Sequence, residues 1–196
     1  MEKTFNTDKI YLENIVVNKN SIKNLFLILD KDFPRFSRIP FFMIRSALKK
    51  EVLKAVYLTD GINKYGYAVY QYCNDLKMIH IMYLAINPEF RSLGLGSILI
   101  RELNKISNSR IILDVENPYA ANLMDKEKDI RLRRVDFYKR NGFEIYPHFK
   151  FDNFGYKMNV MSNIELPRQN WLKFYRKLYG NVVSKVIASF VIKPDK

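Results

Sequence analysis

The sequence predicts a single α/β (α+β) domain, with a mixed central sheet and helices on both faces. Three patterns support this fold class. Apolar residues recur at helical spacing in two early segments, residues 19–29 and 41–50. Short β-rich runs joined by turn residues then predict an antiparallel meander. A strand, a glycine turn, a helix and a second strand follow in that order, which is typical of a right-handed crossover between parallel strands.

Each element is bounded by residues that favour its start or end. The first helix is predicted with Ser21 as a nearby cap, and the second is entered through Pro40. Gly142 is expected to take the left-handed conformation that ends a helix. The predicted strands are residues 55–59, 65–72, 78–86 and 110–115, with a late hairpin over 143–151 and 156–161. Further helical spacing covers residues 98–106, the segment that ends at 141–142, and residues 171–178.

Composition restricts the class of protein. Of the 196 residues, 48% are hydrophobic and 27% are charged, which is ordinary for a globular domain. A chain of this size needs no disulfide or metal for stability. The single Cys73 cannot form an intrachain disulfide, which favours a reducing compartment. No apolar run approaches the ~20 residues that span a bilayer, and the first residues do not resemble a secretory signal. These features predict a cytoplasmic protein.

The net charge of +13 has two explanations. It can attract an anionic partner, such as nucleic acid, an anionic membrane or a small polyanion. It can equally be a lysine-rich surface that keeps the protein soluble. From Leu166 onward Asp195 is the only acidic residue, so the C-terminal tail is the best candidate for a weak anionic contact.

The turn from Arg91 to Gly96, Arg-Ser-Leu-Gly-Leu-Gly, separates a predicted strand from a predicted helix. A Rossmann fingerprint would need a small residue where Leu99 stands, and the Gly-Lys-Ser/Thr of a Walker loop is absent. Glycines at this place let backbone N–H groups approach a phosphate, and Arg91 can add an ion pair. On its own, the turn indicates either a phosphate-binding loop or merely a tight connection.

Two motifs in the right order resemble the GNAT superfamily of N-acetyltransferases. The first is the Arg-x-x-Gly-x-Gly turn with the preceding Asn-Pro-Glu-Phe of residues 87–90. The second is Phe-Tyr-Lys-Arg-Asn-Gly-Phe over residues 137–143. The resemblance covers about residues 26–161. It implies a GNAT-like domain over residues 1–163, followed by a basic helical extension over 164–196 that packs on the domain or trails it.

The resemblance also implies a reaction and a site. An acceptor amine of a small molecule or peptide would attack the thioester of acetyl-CoA directly, where the strands 78–86 and 110–115 splay apart. No metal is expected. Backbone groups for the pantetheine would come from Leu84, Ala85 and Ile86. The pyrophosphate would bind Arg91, Ser92, Leu93, Gly94, Leu95, Gly96 and Ser97. Asn117 resembles a family asparagine that contacts the cofactor, and Tyr138 would contact it too.

Three residues are candidates for proton transfer. Tyr138 matches the family tyrosine and would protonate the departing thiolate, since a phenol with a pKa near 10 is protonated at neutral pH. The alternative is a packed helix tyrosine. Asp114 and Glu116 lie two apart on a strand and share one face, so either is a candidate base or an ordinary salt-bridge partner. His80 is interpreted as a packed histidine, and His148 belongs to no motif.

The charged stretch 118–133 is longer than the corresponding family connection. It is interpreted either as an acceptor-site element or as a solvated loop or helix extension. An N-acetyltransferase is the leading function. A nucleic-acid-binding protein or a CoA sensor on a degenerate transferase fold is the alternative. The sequence leaves the acceptor and the oligomeric state open, with a homodimer among the options.

Overall fold

A computed structural model describes residues 9–33, 39–108, 110–121, 123–153 and 156–165. Its helices are α1 (Lys19–Asp32), α2 (Phe41–Lys49), α3 (Leu95–Ser107) and α4 (Asp125–Arg140). Its strands are β1 (Tyr11–Asn14), β2 (Lys54–Thr59), β3 (Lys64–Cys73), β4 (Met78–Ile86), β5 (Ile111–Glu116), β6 (Glu144–Asn153) and β7 (Tyr156–Ser162).

The strands form one mixed sheet of seven, in the order β1-β2-β3-β4-β5-β7-β6. Strands β1 to β4 are an antiparallel meander, and β4 and β5 are parallel. The predicted fold class, with its meander and its parallel pair, is therefore confirmed. Two features are additional to the prediction. Strand β1 extends the meander at one edge, and β7 lies between β5 and β6.

The helices cover opposite faces of the sheet. Neighbouring side chains along β3 alternate between two cores, as a pleated strand requires. Tyr67 and Val69 pack with α1 and α2, whereas Ala68 and Tyr70 pack with α3 and α4. Each helix turns one apolar stripe toward its core, and burial of these stripes holds the layers together. The main helical contributions are Ile22, Leu25 and Leu29 of α1, Ile44 and Leu48 of α2, Leu99 and Leu103 of α3, and Val135 and Tyr138 of α4.

The helix ends test two of the predicted caps. Asn18, not Ser21, caps α1, because the Asn18 side chain accepts a hydrogen bond from the Ser21 backbone N–H at 2.9 Å. The helix starts at Lys19, so Ser21 lies in its first turn. At the end of α4 the prediction is confirmed, since Gly142 has a φ of 84°. Backbone bonds from Gly142 to Lys139 and from Phe143 to Tyr138 complete a Schellman motif.

Most of the charged stretch 118–133 is helical. Helix α4 begins at Asp125, and Asp125 and Glu127 in its first turn suit the helix dipole. Arg131 is buried, pairs with Glu127 and donates to the backbone carbonyl of Asn117 at 3.0 Å. Residues 125–133 thus form the first part of α4, and their role at the acceptor site stays a prediction.

Several expectations lie outside the described residues. These are the helix around residues 171–178, the basic extension from residue 166 onward, and the side chain of His148. Among the described helices, none has both the length and the apolar composition that a bilayer crossing demands.

Helix α1 allows a matched test of the core. Leu29 is 0% exposed and Leu27 is 58% exposed on the same helix. We expect Leu29→Ala to lower the free energy of unfolding by about 2–5 kcal/mol, because the cavity it leaves collapses only in part. Leu27→Ala should change it by less than about 0.5 kcal/mol. Urea denaturation of both variants measures the difference, and equal effects would contradict the placement of α1.

Candidate active site

Strands β4 and β5 stay paired over a short distance. Their parallel ladder joins residues 79–81 to residues 111–113 and then ends. Beyond it, the ladders record β4 only with β3 and β5 only with β7, among the described strands. The two strands therefore part toward their C-terminal ends. This cleft lies where the sequence placed it, between residues 78–86 and 110–115.

A β-bulge in β4 shifts its alternation beside the cleft. The register between β3 and β4 breaks between Val69 and Tyr70, and Met82 is the extra residue on β4. The β4 side chains that face the α3/α4 core are Ile79 and Ile81 before the bulge, and Leu84 and Ile86 after it. Odd-numbered positions face this core before the bulge and even-numbered positions face it afterwards.

The same bulge decides which backbone groups face the cleft. The Asn87 N–H donates to the Tyr65 carbonyl at 2.9 Å, which sets the alternation of hydrogen bonds at this end of β4. By that alternation, the N–H and C=O of Leu84 and Ile86 point away from β3 and toward the cleft. The backbone of Ala85 points to β3 instead. Of the three predicted backbone positions, Leu84 and Ile86 therefore present hydrogen-bonding groups to the cleft, whereas those of Ala85 bond to β3.

A glycine in β3 permits this arrangement. A Cβ at Gly66 would lie 2.4 Å from the Ala85 carbonyl oxygen and 2.6 Å from the Ile86 side chain. Any larger residue would push β3 away from the part of β4 that lines the cleft. Gly66 is not among the predicted site residues. A lone glycine inside a β-rich run was the available indication, since such a glycine often marks a close backbone approach.

The turn between β4 and α3 presents backbone donors. Ser92 and Gly94 both have left-handed backbones, with φ of 65° and 76°. Gly94 precedes α3, and no described side chain caps this helix end. The N–H groups of Leu95 and Gly96 belong to the first turn, where helical N–H groups have no partner within the helix. The turn therefore offers donors to an anion at the positive end of the α3 dipole.

A cavity of about 640 Å³ lies along this turn. Its walls include three arginines and one carboxylate, contributed by the turn, by α4 and by the end of α1. The predicted residues at the wall are Leu84, Ala85, Ile86, Arg91, Ser92, Gly94, Leu95, Gly96 and Ser97. The other residues at the wall are Asp32, Phe33, Phe90, Ile130, Arg134, Phe137 and Arg140.

Two predicted cofactor residues do not line either cavity of the cleft in the described structure. The Leu93 side chain is 40% exposed on the outside of the turn. The Asn117 side chain accepts a hydrogen bond from the Tyr119 backbone N–H at 2.9 Å. The Asn117 carbonyl accepts the bond from Arg131. Asn117 therefore shapes the turn after β5, and its contact with the cofactor stays a prediction.

The glycine turn and the α4 motif are in contact. A Cβ at Gly96 would lie 3.0 Å from two ring atoms of Phe137. Arg91 contributes on the other side of the turn, because its Nε donates to the Ile86 carbonyl at 3.0 Å. This contact connects the turn to β4. The two motifs that were found separately in the sequence thus form one packed unit.

A second cavity, of about 140 Å³, lies between the parted strands. Asp114 of β5 and Tyr138 of α4 both line it, together with Leu113, Ile81 and Met82. It shares Phe33, Leu84, Arg134 and Phe137 with the larger cavity, so the two adjoin. The structure therefore brings a predicted acid and a predicted base to one cavity.

Tyr138 is held protonated by its surroundings. Burial raises its pKa to about 12, the Arg134 guanidinium opposes the rise, and the Glu116 carboxylate adds to it. Within the described residues, the Tyr138 hydroxyl makes no hydrogen bond. The Schellman motif fixes its backbone, and the Tyr138 ring lies 5.7 Å from that of Phe143 between ring centroids. A buried phenol of this kind can donate a proton into the cavity.

The two candidate carboxylates have different partners. Asp114 Oδ2 lies 3.0 Å from Nε2 of His80, which is buried as predicted. Glu116 forms an ion pair with Arg134 of α4 and does not line either cavity. Asp114 is therefore better placed than Glu116 to meet a substrate. His80 was interpreted only as a packed residue, because nothing in the spacing of the sequence connects it to Asp114.

Comparison with known proteins agrees with this geometry. Residues 53–145 match the family model described as an acetyltransferase (GNAT) domain. Over these residues the chain is similar to a GNAT acetyltransferase domain. No curated protein matches the chain. Many solved structures share the fold, and their low sequence identity makes the fold the only property that they establish.

Three of these structures illustrate the similarity. A Bacteroides thetaiotaomicron protein assigned to the GNAT family has a TM-score of 0.68 at 19% identity, covering 88% of this chain and 98% of its own. Arabidopsis thaliana Naa50 with the bisubstrate analogue CoA-Ac-MVNAL has a TM-score of 0.54 at 20% identity, covering 80% and 99%. A Bacillus subtilis acetyltransferase in complex with CoA has a TM-score of 0.52 at 14% identity, also covering 80% and 99%.

The raised pKa of Tyr138 predicts how the domain loses stability in alkali. The folded chain holds this proton more tightly than the unfolded chain, whose tyrosine has a pKa near 10. The advantage is complete below pH 10 and is lost as the pH rises toward 12. Relative to Tyr138→Phe, we expect the wild type to lose up to about 1.4 kcal/mol of unfolding free energy per pH unit in this window.

Urea denaturation at pH 9, 10 and 11 measures this difference. Tyr119→Phe is the control, because Tyr119 is 74% exposed. A Tyr138→Phe variant whose stability falls in parallel with the wild type would contradict the burial of the hydroxyl.

Proposed function

We propose that the protein is an N-acetyltransferase that moves the acetyl group of acetyl-CoA to a primary amine of a small molecule or peptide. The amine attacks the thioester directly in a ternary complex. The observation that carries the proposal is the pair of adjoining cavities. One follows an anion-binding turn, and the other holds a protonated tyrosine and a carboxylate at the point where two strands part.

The larger cavity suits the donor. Arg91, Arg134 and Arg140 line it, and a cationic wall favours the phosphates of CoA. The pyrophosphate binds the N–H groups of Leu95 and Gly96, where the α3 dipole adds attraction. CoA is present in the similar Bacillus subtilis structure, and a CoA-peptide analogue is present in that of Naa50.

The parted strands suit the pantetheine arm. Backbone groups of Leu84 and Ile86 face the cleft, so an extended amide-containing ligand can bond to β4 as another strand would. The Ile86 carbonyl already accepts a bond from Arg91, which leaves the Ile86 N–H and both groups of Leu84 for the ligand. This arm leads the thioester toward the cavity that Tyr138 lines.

Tyr138 acts as the general acid in this proposal. When the amine nitrogen attacks the thioester carbonyl carbon, the C–S bond breaks and the sulfur leaves as a thiolate. The Tyr138 hydroxyl gives its proton to that sulfur, which its raised pKa keeps available at neutral pH. Holding the amine and the thioester in adjoining cavities also lowers the activation free energy, because it removes the entropy cost of their encounter.

Asp114 is the base that the geometry favours. It lines the same cavity as Tyr138, whereas Glu116 is held by Arg134. The Arg134–Glu116 pair joins α4 to the end of β5. We assign this pair to positioning the helix that carries Tyr138.

The acceptor side of the cleft favours a cationic amine. Asp32, at the end of α1, lines the larger cavity and accepts a hydrogen bond from the buried Tyr67 hydroxyl at 2.9 Å. The negative end of the α1 dipole lies at the same place, which also favours a cation. Together with Asp114, this carboxylate supports an acceptor that arrives as an ammonium ion.

Binding of the donor is tested by thermal and chemical denaturation. Acetyl-CoA at 100 times its Kd should raise the unfolding free energy by about 2.7 kcal/mol. Gly96→Trp should abolish this gain, because its side chain must displace Phe137 and fill the cavity beside the turn. Leu27→Trp, at an exposed site on α1, is the matched control and should keep the gain. A wild type that acetyl-CoA leaves unchanged would refute the proposal.

Catalysis is tested by release of the CoA thiol against polyamines, amino acids, aminoglycosides and peptide N-termini. For any amine that reacts, Tyr138→Phe should lower kcat by about 10- to 100-fold with little change in acetyl-CoA affinity. This loss is at or below the lower end of the usual range for acid catalysis, because a thiolate is already a fair leaving group. Tyr119→Phe should react normally. Tight acetyl-CoA binding with no turnover of any amine would support the CoA sensor instead.

A further inference from the structure

His80 contacts a carboxylate of the smaller cavity without lining that cavity itself. It is in β4, 1% exposed, opposite Gln71 of β3 and Ile112 of β5. Its Nε2 is 3.0 Å from Oδ2 of Asp114. His80 does not line the cavity, whereas Asp114 does. The imidazole thus contacts, from inside the sheet, the carboxylate that faces the reacting groups.

Asp114 stands at a place where its own strand does little to orient it. It is the first residue of β5 beyond the ladder with β4, which ends at the pair of Ile81 and Leu113. From Asp114 onward, β5 pairs with β7 on one side and faces the cleft on the other. A hydrogen bond from a rigid, buried ring is an effective way to hold such a side chain. Burial of an imidazole and a carboxylate is also costly unless the two are bonded to each other.

Charged and titratable groups of three elements lie near this carboxylate. From its own strand the charged neighbour is Glu116, which Arg134 neutralises. From α4, Arg134 and Tyr138 line the same cavity. From β4, His80 is the titratable contact. Of these, His80 is hydrogen-bonded to Asp114 through its side chain, at 3.0 Å.

We propose that His80 is the positioning residue of the proton-accepting carboxylate. Its Nε2–H donates to Asp114 Oδ2 and holds the carboxylate toward the acceptor amine. This inference rests on the proposed function. As the C–N bond forms and the C–S bond breaks, Asp114 takes the proton that the nitrogen loses, and Tyr138 gives its proton to the sulfur. The protein gains one proton and loses one, and exchange with water restores both groups.

Four variants test the inference by steady-state kinetics. His80→Phe removes the donor and should lower kcat by about 10- to 100-fold, with the KM for acetyl-CoA changed less than about twofold. His80→Gln supplies an N–H at similar reach and should recover most of the activity. Asp114→Asn should lower kcat by about 100-fold or more. The double variant His80→Phe with Asp114→Asn should be no slower than Asp114→Asn alone, because the two residues act as one unit.

The second histidine gives a matched control. The chain has only two histidines, and His148 lies on β6, two strands away from β5. His148→Gln should keep the wild-type kcat. It also leaves His80 as the only imidazole, so that ¹⁵N-edited NMR observes its ring N–H directly. That resonance should be present at neutral pH and should shift or disappear in Asp114→Ala, whether or not any variant turns over substrate.

Distinct results overturn the inference and the proposed function. The role of His80 would be overturned by any of three kinetic results. His80→Phe could keep kcat within twofold of the wild type, or His80→Gln could be folded and fail to recover activity. The double variant could also be slower than Asp114→Asn by the full factor of His80→Phe. An imidazole N–H resonance that Asp114→Ala leaves unchanged would also overturn this role. Failure of the wild type to bind acetyl-CoA would refute the proposed function by itself, while the NMR result would still report on the His80–Asp114 bond.

Discussion

The early end of the ladder between β4 and β5 is the constraint on which the site depends. Buried backbone N–H and C=O groups need partners, and a strand in the middle of a sheet normally finds them on both sides. Past Ile81, β4 keeps only β3 among the described strands, so Leu84 and Ile86 present unshared backbone groups to the cleft. The Met82 bulge sets their phase, and Gly66 keeps β3 close enough to support them. The β4 side of the slot that results has the hydrogen-bonding pattern that a neighbouring strand would use.

The segment from Phe137 to Phe143 supplies side chains that line the cavity between the parted strands. Gly142 ends α4 in a left-handed turn, after which Phe143 is buried in the core. The hydrogen bond from the Phe143 N–H to the Tyr138 carbonyl fixes the backbone of Tyr138, which lines the smaller cavity. One residue earlier, Phe137 packs over Gly96. The glycine at position 96 is therefore needed for packing against α4 as well as for approach of an anion. The glycine turn and the end of α4 therefore pack against each other through Gly96 and Phe137.

The parts of the site that the sequence predicted are those encoded by neighbouring residues. The glycine turn, the end of α4 and the parallel pair follow from local spacing, and all three are found. Strand β1 escaped prediction because its four residues are mostly exposed and show no alternation. The insertion of β7 between β5 and β6, and the contact of His80 with Asp114 across 34 positions, depend on which strands become neighbours. Spacing along the chain carries no information about that choice. A local motif match likewise cannot reveal that Arg131 and Tyr119 engage Asn117 in the turn after β5.

The same distinction explains why the donor is easier to infer than the acceptor. In the proposed reaction a polyanion and a cationic amine must meet, and the cleft carries charges of both signs. Three arginines and Asp32 line the larger cavity, and Asp114 lines the smaller one. Arg134 borders both cavities, and its positive charge would repel an ammonium ion beside the thioester. Its ion pair with Glu116 offsets that repulsion, so the field that the amine meets there is set chiefly by Asp114. A carboxylate whose orientation depends on a histidine in the neighbouring strand is then the group that decides how the amine loses its proton.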